Sequence, residues 1–174
     1  IADRLGVPRM FFVNKEDRER ADFDAVLAQL RDRFGHGVAP LELPLGEEST
    51  FRGIADLLTD VAVVYDDDQG HHHDEPIPGD FEAREHEVHD QLVEEIVEAD
   101  DALMERYLEG DQPSAKELED TLAKGIATCQ VFPVIVGSAV KDVGVDLLAK
   151  LITEIGPSPA DRPPVAVEAG DSVQ

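Results

Sequence analysis

Two short apolar runs, Met10-Phe11-Phe12-Val13 and Val134-Ile135-Val136, each end in a compact polar motif. The motifs are Asn14-Lys15-Glu16-Asp17 and Gly137-Ser138-Ala139. Runs of this length without alternation predict strands buried on both faces, over residues 9–13 and 132–136. Each is followed by a helical period. After the first, Asp22 is placed to cap a helix that buries Phe23, Val26, Leu27, Leu30 and Phe34, with Gly35 and Gly37 ending it. After the second, residues 143–155 predict a helix burying Leu147, Leu148, Leu151, Ile152 and Ile155, stopped by Gly156-Pro157. The first five residues read as the end of a helix, with Gly6 and Pro8 as the stop.

Between these two units the period changes. Residues 40–45 and, in part, 59–63 alternate, punctuated by Gly46, Gly53 and a polar stretch at 66–70, which predicts antiparallel strands of a small sheet. Residues 66–79 read as a polar, mobile loop. Residues 80–109 predict a long amphipathic helix or a broken pair, with Val88, Leu92, Ile96, Ala99, Leu103 and Tyr107 on one face. Ser114 and Glu117 form a capping box that starts another helix, burying Leu118, Leu122 and Ile126.

The order is strand–helix, a long α+β stretch, then strand–helix. The outer segments, residues 1–38 and 129–160, read as the last two βα units of a doubly wound, mostly parallel α/β domain. Residues 39–128 read as an α+β insertion between them. Residues 161–174, with Pro163-Pro164, read as a linker to a further unit, so the chain reads as a piece of a larger protein.

Composition narrows the functional classes. The 174 residues carry 42% hydrophobic positions, enough for a core, and a net charge of −24. A surface this acidic repels phosphate backbones, which argues against direct nucleic-acid binding. A single cysteine, Cys129, excludes a disulfide framework and makes a reducing cytoplasm the expected compartment. No apolar run approaches the roughly 20 residues of a membrane span.

In open α/β sheets, ligands bind beyond the carboxyl ends of the strands, where both motifs fall. An aspartate there can accept from two adjacent N–H donors at once. Guanine offers such a pair, N1–H and its 2-amino group, beside an acceptor at O6. In this reading Asp17 forks onto the two donors, at roughly 1.5–3 kcal/mol for each charge-assisted bond. Asn14 meets N7 and ties the loops together, and Lys15 lays its aliphatic stem across the base. Ser138 buttresses the loop, and the Ala139 backbone N–H donates to O6. Glu16 points away and carries no role. An Asn-Lys-x-Asp run arises by chance in about 2% of chains this long, so the pairing of two motifs at two strand ends carries the specificity.

With these residues the chain resembles the G domain of translation elongation factor G, a P-loop GTPase, from the guanine-specificity motif to the domain's end. Also matching are Val7-Pro8-Arg9, Ala21-Asp22-Phe23, Leu43-Pro44-Leu45-Gly46, Phe51-Arg52-Gly53, Ala55-Asp56-Leu57, Glu105-Arg106-Tyr107-Leu108 and Pro157-Ser158-Pro159. The resemblance implies that the insertion is the G-prime subdomain of that family. It implies GTP or GDP as ligand, with Mg²⁺ in the full-length parent, and the ribosome and its stalk protein as partners. It also implies that the phosphate loop, switch threonine, Asp-x-x-Gly motif and water-positioning histidine lie before Ile1. These residues alone are then expected to hydrolyse no GTP, because phosphoryl transfer rests on those groups. The family usually has Met where Glu16 stands and an aromatic where Val140 stands, departures that fit a divergent paralogue.

Other signals have plainer readings. His71-His72-His73-Asp74 offers metal-ligand types, but adjacent residues in a loop do not converge on one ion. His86 and His89 read as part of a solvated helix face. The acidic stretch at 94–101 reads as helix surface, with docking to a basic stalk or ribosomal protein as its functional alternative. Two competing readings stand beside the GTPase: a non-catalytic interaction module docking a stalk protein or another partner, and an unrelated α/β enzyme with a chance motif.

Overall fold

The computed structural model describes residues 2–161, and the expected linker lies outside the described residues apart from Asp161. A one-turn helix α1 (Ala2–Leu5) leads to strand β1 (Phe11–Asn14) and helix α2 (Phe23–Phe34). Asp22 caps α2 as expected, its side chain accepting from the Ala25 N–H at 2.8 Å. Next come β2 (Val38–Pro40), β3 (Glu42–Leu45), β4 (Gly53–Asp56), β5 (Val61–Tyr65) and β6 (His72–Glu75). Three helices follow, α3 (Glu82–Val97), α4 (Asp101–Leu108) and α5 (Ala115–Ala127), then β7 (Phe132–Gly137) and α6 (Val145–Glu154).

Two sheets result. The first is parallel, in the order β1–β7–β2, and the second is an antiparallel meander, β3–β4–β5–β6. All six residues of β7 are buried, which explains their unbroken apolarity. One core cluster joins the sheets and the helices, with Phe23, Leu43, Ile54, Leu57, Leu92, Ile96, Leu122 and Ile135 among its most buried members. A satellite cluster of Val93, Val97 and Leu103 fills the angle between α3 and its neighbours.

The stretch 40–45, expected as one alternating strand, divides between the two sheets. Val38, Ala39 and Pro40 pair with Phe132, Pro133 and Val134 of β7, so the first residues of the expected insertion lie in the parallel sheet. Leu41 is the junction: its N–H donates to Val134 at 2.9 Å and its carbonyl accepts from Leu57 at 3.0 Å. Glu42 then extends β2's role with its side chain, whose Oε2 accepts the Val136 N–H at 3.0 Å. Every residue of β3 is buried, because one face meets β7 and the other the remaining core.

Two further expectations change, and one open alternative is resolved. Residues 72–75, read as mobile loop, form edge strand β6 on β5. All four are exposed, so backbone pairing alone builds the strand and leaves no hydrophobic signature. Ile152, expected in the core, is 52% exposed, since α6 turns its outer face away from both sheets. The 80–109 segment is a broken pair: Asp100 stops α3 and caps α4, accepting from the Ala102 and Leu103 N–H groups.

The acidic stretch at 94–101 is partly committed to internal pairs. Arg31 of α2 donates to Glu95 at 3.1 Å and to Gln91 at 3.3 Å, and Lys124 donates to Asp100 at 2.7 Å. His89 is half-buried and donates to the Leu57 carbonyl at 2.8 Å, so it pins α3 to the end of β4. Among the described residues no helix is long and apolar enough to cross a membrane.

Glu42 is 6% exposed, and burial pushes its carboxyl up to about 8. At pH 6 it therefore carries a proton and still offers a carbonyl oxygen to Val136. Glu42→Leu, which orphans a buried N–H, is expected to cost about 1–3 kcal/mol in urea unfolding at pH 6. Glu42→Gln keeps the acceptor and is expected to cost far less.

Candidate functional site

Asn14 and Gly137 are register partners at the carboxyl ends of the adjacent parallel strands β1 and β7. Gly137 makes this approach feasible. A Cβ there would lie 2.4 Å from the Val143 carbonyl and 2.9 Å from the Phe12 ring. The loops leaving the two strands are thereby laid side by side.

The first loop turns sharply, with Lys15 in the left-handed region at φ 77°. Arg18 N–H donates back to Lys15 at 3.0 Å and Ala21 N–H to Arg18 at 3.1 Å. The second closes on itself through Ser138 and Val143, which exchange backbone bonds of 2.9 and 3.0 Å. Its apex, Ala139 and Val140, faces solvent.

Side chains join the loops at two points. Asn14 Oδ1 accepts from the Ala139 N–H at 3.0 Å and from the Lys15 N–H at 2.8 Å. The Ser138 hydroxyl, fully buried, donates to Asp17 Oδ1 at 2.6 Å. The other Asp17 oxygen is 3.5 Å from Arg18 Nε. The backbone adds a third tie, Glu16 N–H to the Gly137 carbonyl at 3.3 Å.

All five residues singled out from the sequence, Asn14, Lys15, Asp17, Ser138 and Ala139, thus belong to two contiguous loops at one sheet end. Asn14, Lys15 and Ala139 are exposed, and Asp17 presents an edge to solvent. The loop-tying part expected of Asn14 is made to Ala139. The Ala139 N–H, expected to meet a base carbonyl, is here held by Asn14. The donor and acceptor types fit a purine edge with two adjacent N–H donors beside a carbonyl: a carboxylate for the pair, and a backbone N–H near it for the oxygen.

Glu16, given no role from the sequence, is 2% exposed, and among the described residues its buried Oε2 has no hydrogen-bond partner. Burial first, then the carboxylates of Glu47, Asp22, Asp17 and Asp24, push it up to about 7. The signal that could have found it lies in the resemblance, whose usual Met marks the position as apolar.

Among the described residues no three His, Cys, Asp or Glu side chains converge as a metal site. The three adjacent histidines instead meet separate carboxylates. His71 bonds Asp67, His72 bonds Asp146, and His73 bonds Asp66 and Glu75. These contacts raise the pKa of His71 and His73.

The sequence profile described as the elongation factor Tu GTP binding domain matches residues 1–158. A crystal structure of a protein from Thermus thermophilus superposes with a TM-score of 0.82 over 91% of this chain, at 33% identity. The match covers 24% of that protein, so this chain spans about a quarter of its length.

A carboxyl raised from 4.5 to about 7 holds a proton in the native state that the unfolded chain has released. Its destabilising effect is absent below pH 4.5, grows between pH 4.5 and 7, and is constant above. Glu16→Gln is expected to raise stability by roughly 1–2 kcal/mol at about pH 8, converging with the parent protein at about pH 4. Urea unfolding at the two pH values reads this directly.

Proposed function

Because the chain belongs to the elongation factor Tu GTP-binding domain family, we propose that it is the guanine-recognising part of a translational GTPase of the elongation factor G type. The observation that carries the reading is the juxtaposition of Asn14-Lys15-x-Asp17 with Ser138-Ala139 at neighbouring parallel strand ends. The Ser138–Asp17 bond fixes the carboxylate's orientation, so that when the exposed Arg18 side chain swings off Oδ2 the carboxylate can take the two adjacent N–H groups of guanine. Adenine offers no such pair and is rejected, because the carboxylate would lose its solvent without gaining donors. Asn14 and Lys15 supply the N7 contact and the apolar cover, and Ala139 the donor for O6.

No Gly-x-x-x-x-Gly-Lys run occurs in the sequence. The reading therefore assigns base selectivity to these residues and leaves phosphate binding, Mg²⁺ and hydrolysis to the parent protein. It also gives the antiparallel sheet with α3, α4 and α5 the part of a G-prime subdomain, with the ribosome and its stalk protein as partners of the whole protein. The resemblance of residues such as Leu43-Pro44-Leu45-Gly46 and Glu105-Arg106-Tyr107-Leu108 supports that finer assignment.

Asp17→Asn tests the base-reading role. Asparagine presents one acceptor and one donor, which suits xanthine, where a carbonyl replaces the 2-amino group. Titration of the variant with guanosine and xanthosine monophosphates, followed by NMR, is expected to show guanine affinity reduced by about tenfold or more and a preference for xanthine. An unchanged guanine preference would refute the assignment.

A further inference from the structure

The loop after β7, residues 138–144, is held at its far end as well as at its front. Gly144, at φ 76°, ends the loop and precedes α6. A Cβ there would lie 2.5 Å from the Val136 carbonyl and 2.7 Å from Ile54 Cδ1, so the loop's return presses on β4. Two residues on, Asp146 sits in the first turn of α6. Its Oδ1 accepts from the Tyr65 hydroxyl at 2.5 Å, and its Oδ2 lies 3.0 Å from His72 Nε2. Tyr65 and His72 are cross-strand partners at the top of the β5–β6 hairpin, with ring centroids 5.2 Å apart. The hairpin's turn closes through Asp66 N–H to the His71 carbonyl at 2.8 Å. At its tip, a Cβ on Gly70 would lie 3.0 Å from the Asp142 carboxylate.

The antiparallel sheet therefore touches the loop and its exit at three places: Ile54 at Gly144, Gly70 at Asp142, and Tyr65 with His72 at Asp146. Tyr65 is 8% exposed, and burial and the bond to Asp146 raise its phenol well above the ordinary range, so it remains a donor.

The front ties are of a different kind. The Ala139 N–H now donates to Asn14, and in the guanine reading that same N–H turns to the base. Binding then gives up one of the contacts that position the loop. The contacts at Asp146 use no group the base needs, and they persist when the front tie is exchanged.

We propose that the β5–β6 hairpin is a positioning element for the guanine loop, with Tyr65 and His72 acting through Asp146 to keep Ala139 within reach of the base. The proposal rests on the guanine reading of Asp17 and Ala139. It gives the antiparallel sheet a direct part in nucleotide affinity, through pre-organisation of a loop that would otherwise be ordered at the moment of binding.

The test titrates the 174-residue chain with guanosine 5′-monophosphate and, separately, adenosine 5′-monophosphate, following the Ala139 amide by ¹H–¹⁵N NMR. Tyr65→Phe removes one hydroxyl and keeps the ring. It is expected to weaken the guanine nucleotide about three- to tenfold, leave the adenine nucleotide unchanged, and shift the free-state Ala139 resonance. Adding His72→Phe is expected to deepen the loss. Asp146→Ala should match the double variant, and Asp146→Asn, which still accepts from Tyr65, should recover most of the affinity. Unchanged guanine affinity in Tyr65→Phe would overturn the positioning role while leaving the guanine reading intact. Equal loss for both nucleotides, or an Asp146→Asn as weak as Asp146→Ala, would overturn it too. An unsubstituted 174-residue chain that does not distinguish the two nucleotides would overturn both the proposal and the reading beneath it.

Discussion

The structure depends on satisfying the backbone of one strand. β7 is buried along its whole length, so each of its amide and carbonyl groups needs a partner. On one side β1 supplies a regular parallel ladder. On the other, β2 lasts only three residues, and the chain must leave for the second sheet. The Leu41 N–H takes Val134, and the Glu42 carboxyl takes Val136 in place of a backbone group. That substitution lets two sheets of opposite type share one core without an orphaned amide at the seam. On the opposite edge the β1 ladder aligns Asn14 with Gly137, and from that alignment the two motif loops follow.

The acidity of the chain makes this arrangement less comfortable than it would be in a neutral protein. Glu16, Glu42 and Glu85 are all buried, and burial leads the causes that raise each of them. Where a cation is at hand, as Arg31 is for Glu95, the carboxylate links helices. Among the described residues no cation pairs with Glu42, and a backbone hydrogen bond keeps it. Among the described residues Glu16 has neither for its Oε2, and the charges that act on it are other carboxylates, so this loop carries a cost that an apolar residue would not.

Much of the fold was legible because buried strands and amphipathic helices leave periodic marks. The Asp22 cap, the Ser114 and Glu117 box, and the apolar run at β7 sit where the pattern puts them. β1 instead starts at Phe11 rather than residue 9 and, with β7 on one edge only among the described residues, is half-buried rather than buried on both faces. The two motifs were legible for another reason: their residue types name a ligand edge, and their strand-end positions name a place. What escaped obeys different physics. β6 is held by main-chain pairing and polar contacts, to which hydrophobic periodicity is blind. The division of 40–45 at Leu41 depends on β7, which lies about ninety positions later in the chain. Glu16 was given no role, and a lone charged residue inside a polar motif leaves no periodic mark of its burial. The Tyr65–Asp146 contact joins residues 81 apart in sequence and has no local signature at all.

The placement of β7 also bears on how the chain reaches this shape. Strands β3 to β6 and the turns between them form a local meander, which can close early because its loops are short. β1 and β2 cannot do so. Their shared partner follows far along the chain, as the Glu42–Val136 and Asp17–Ser138 separations of 94 and 121 positions record. During synthesis both strands therefore stand without their ladder while the three intervening helices are made. The parallel sheet is thus the non-local part of the fold, which contact-order reasoning expects to close later, and the meander is the local part. The Asn14–Asp17 loop and the Ser138–Ala139 loop are brought together by that same long-range pairing.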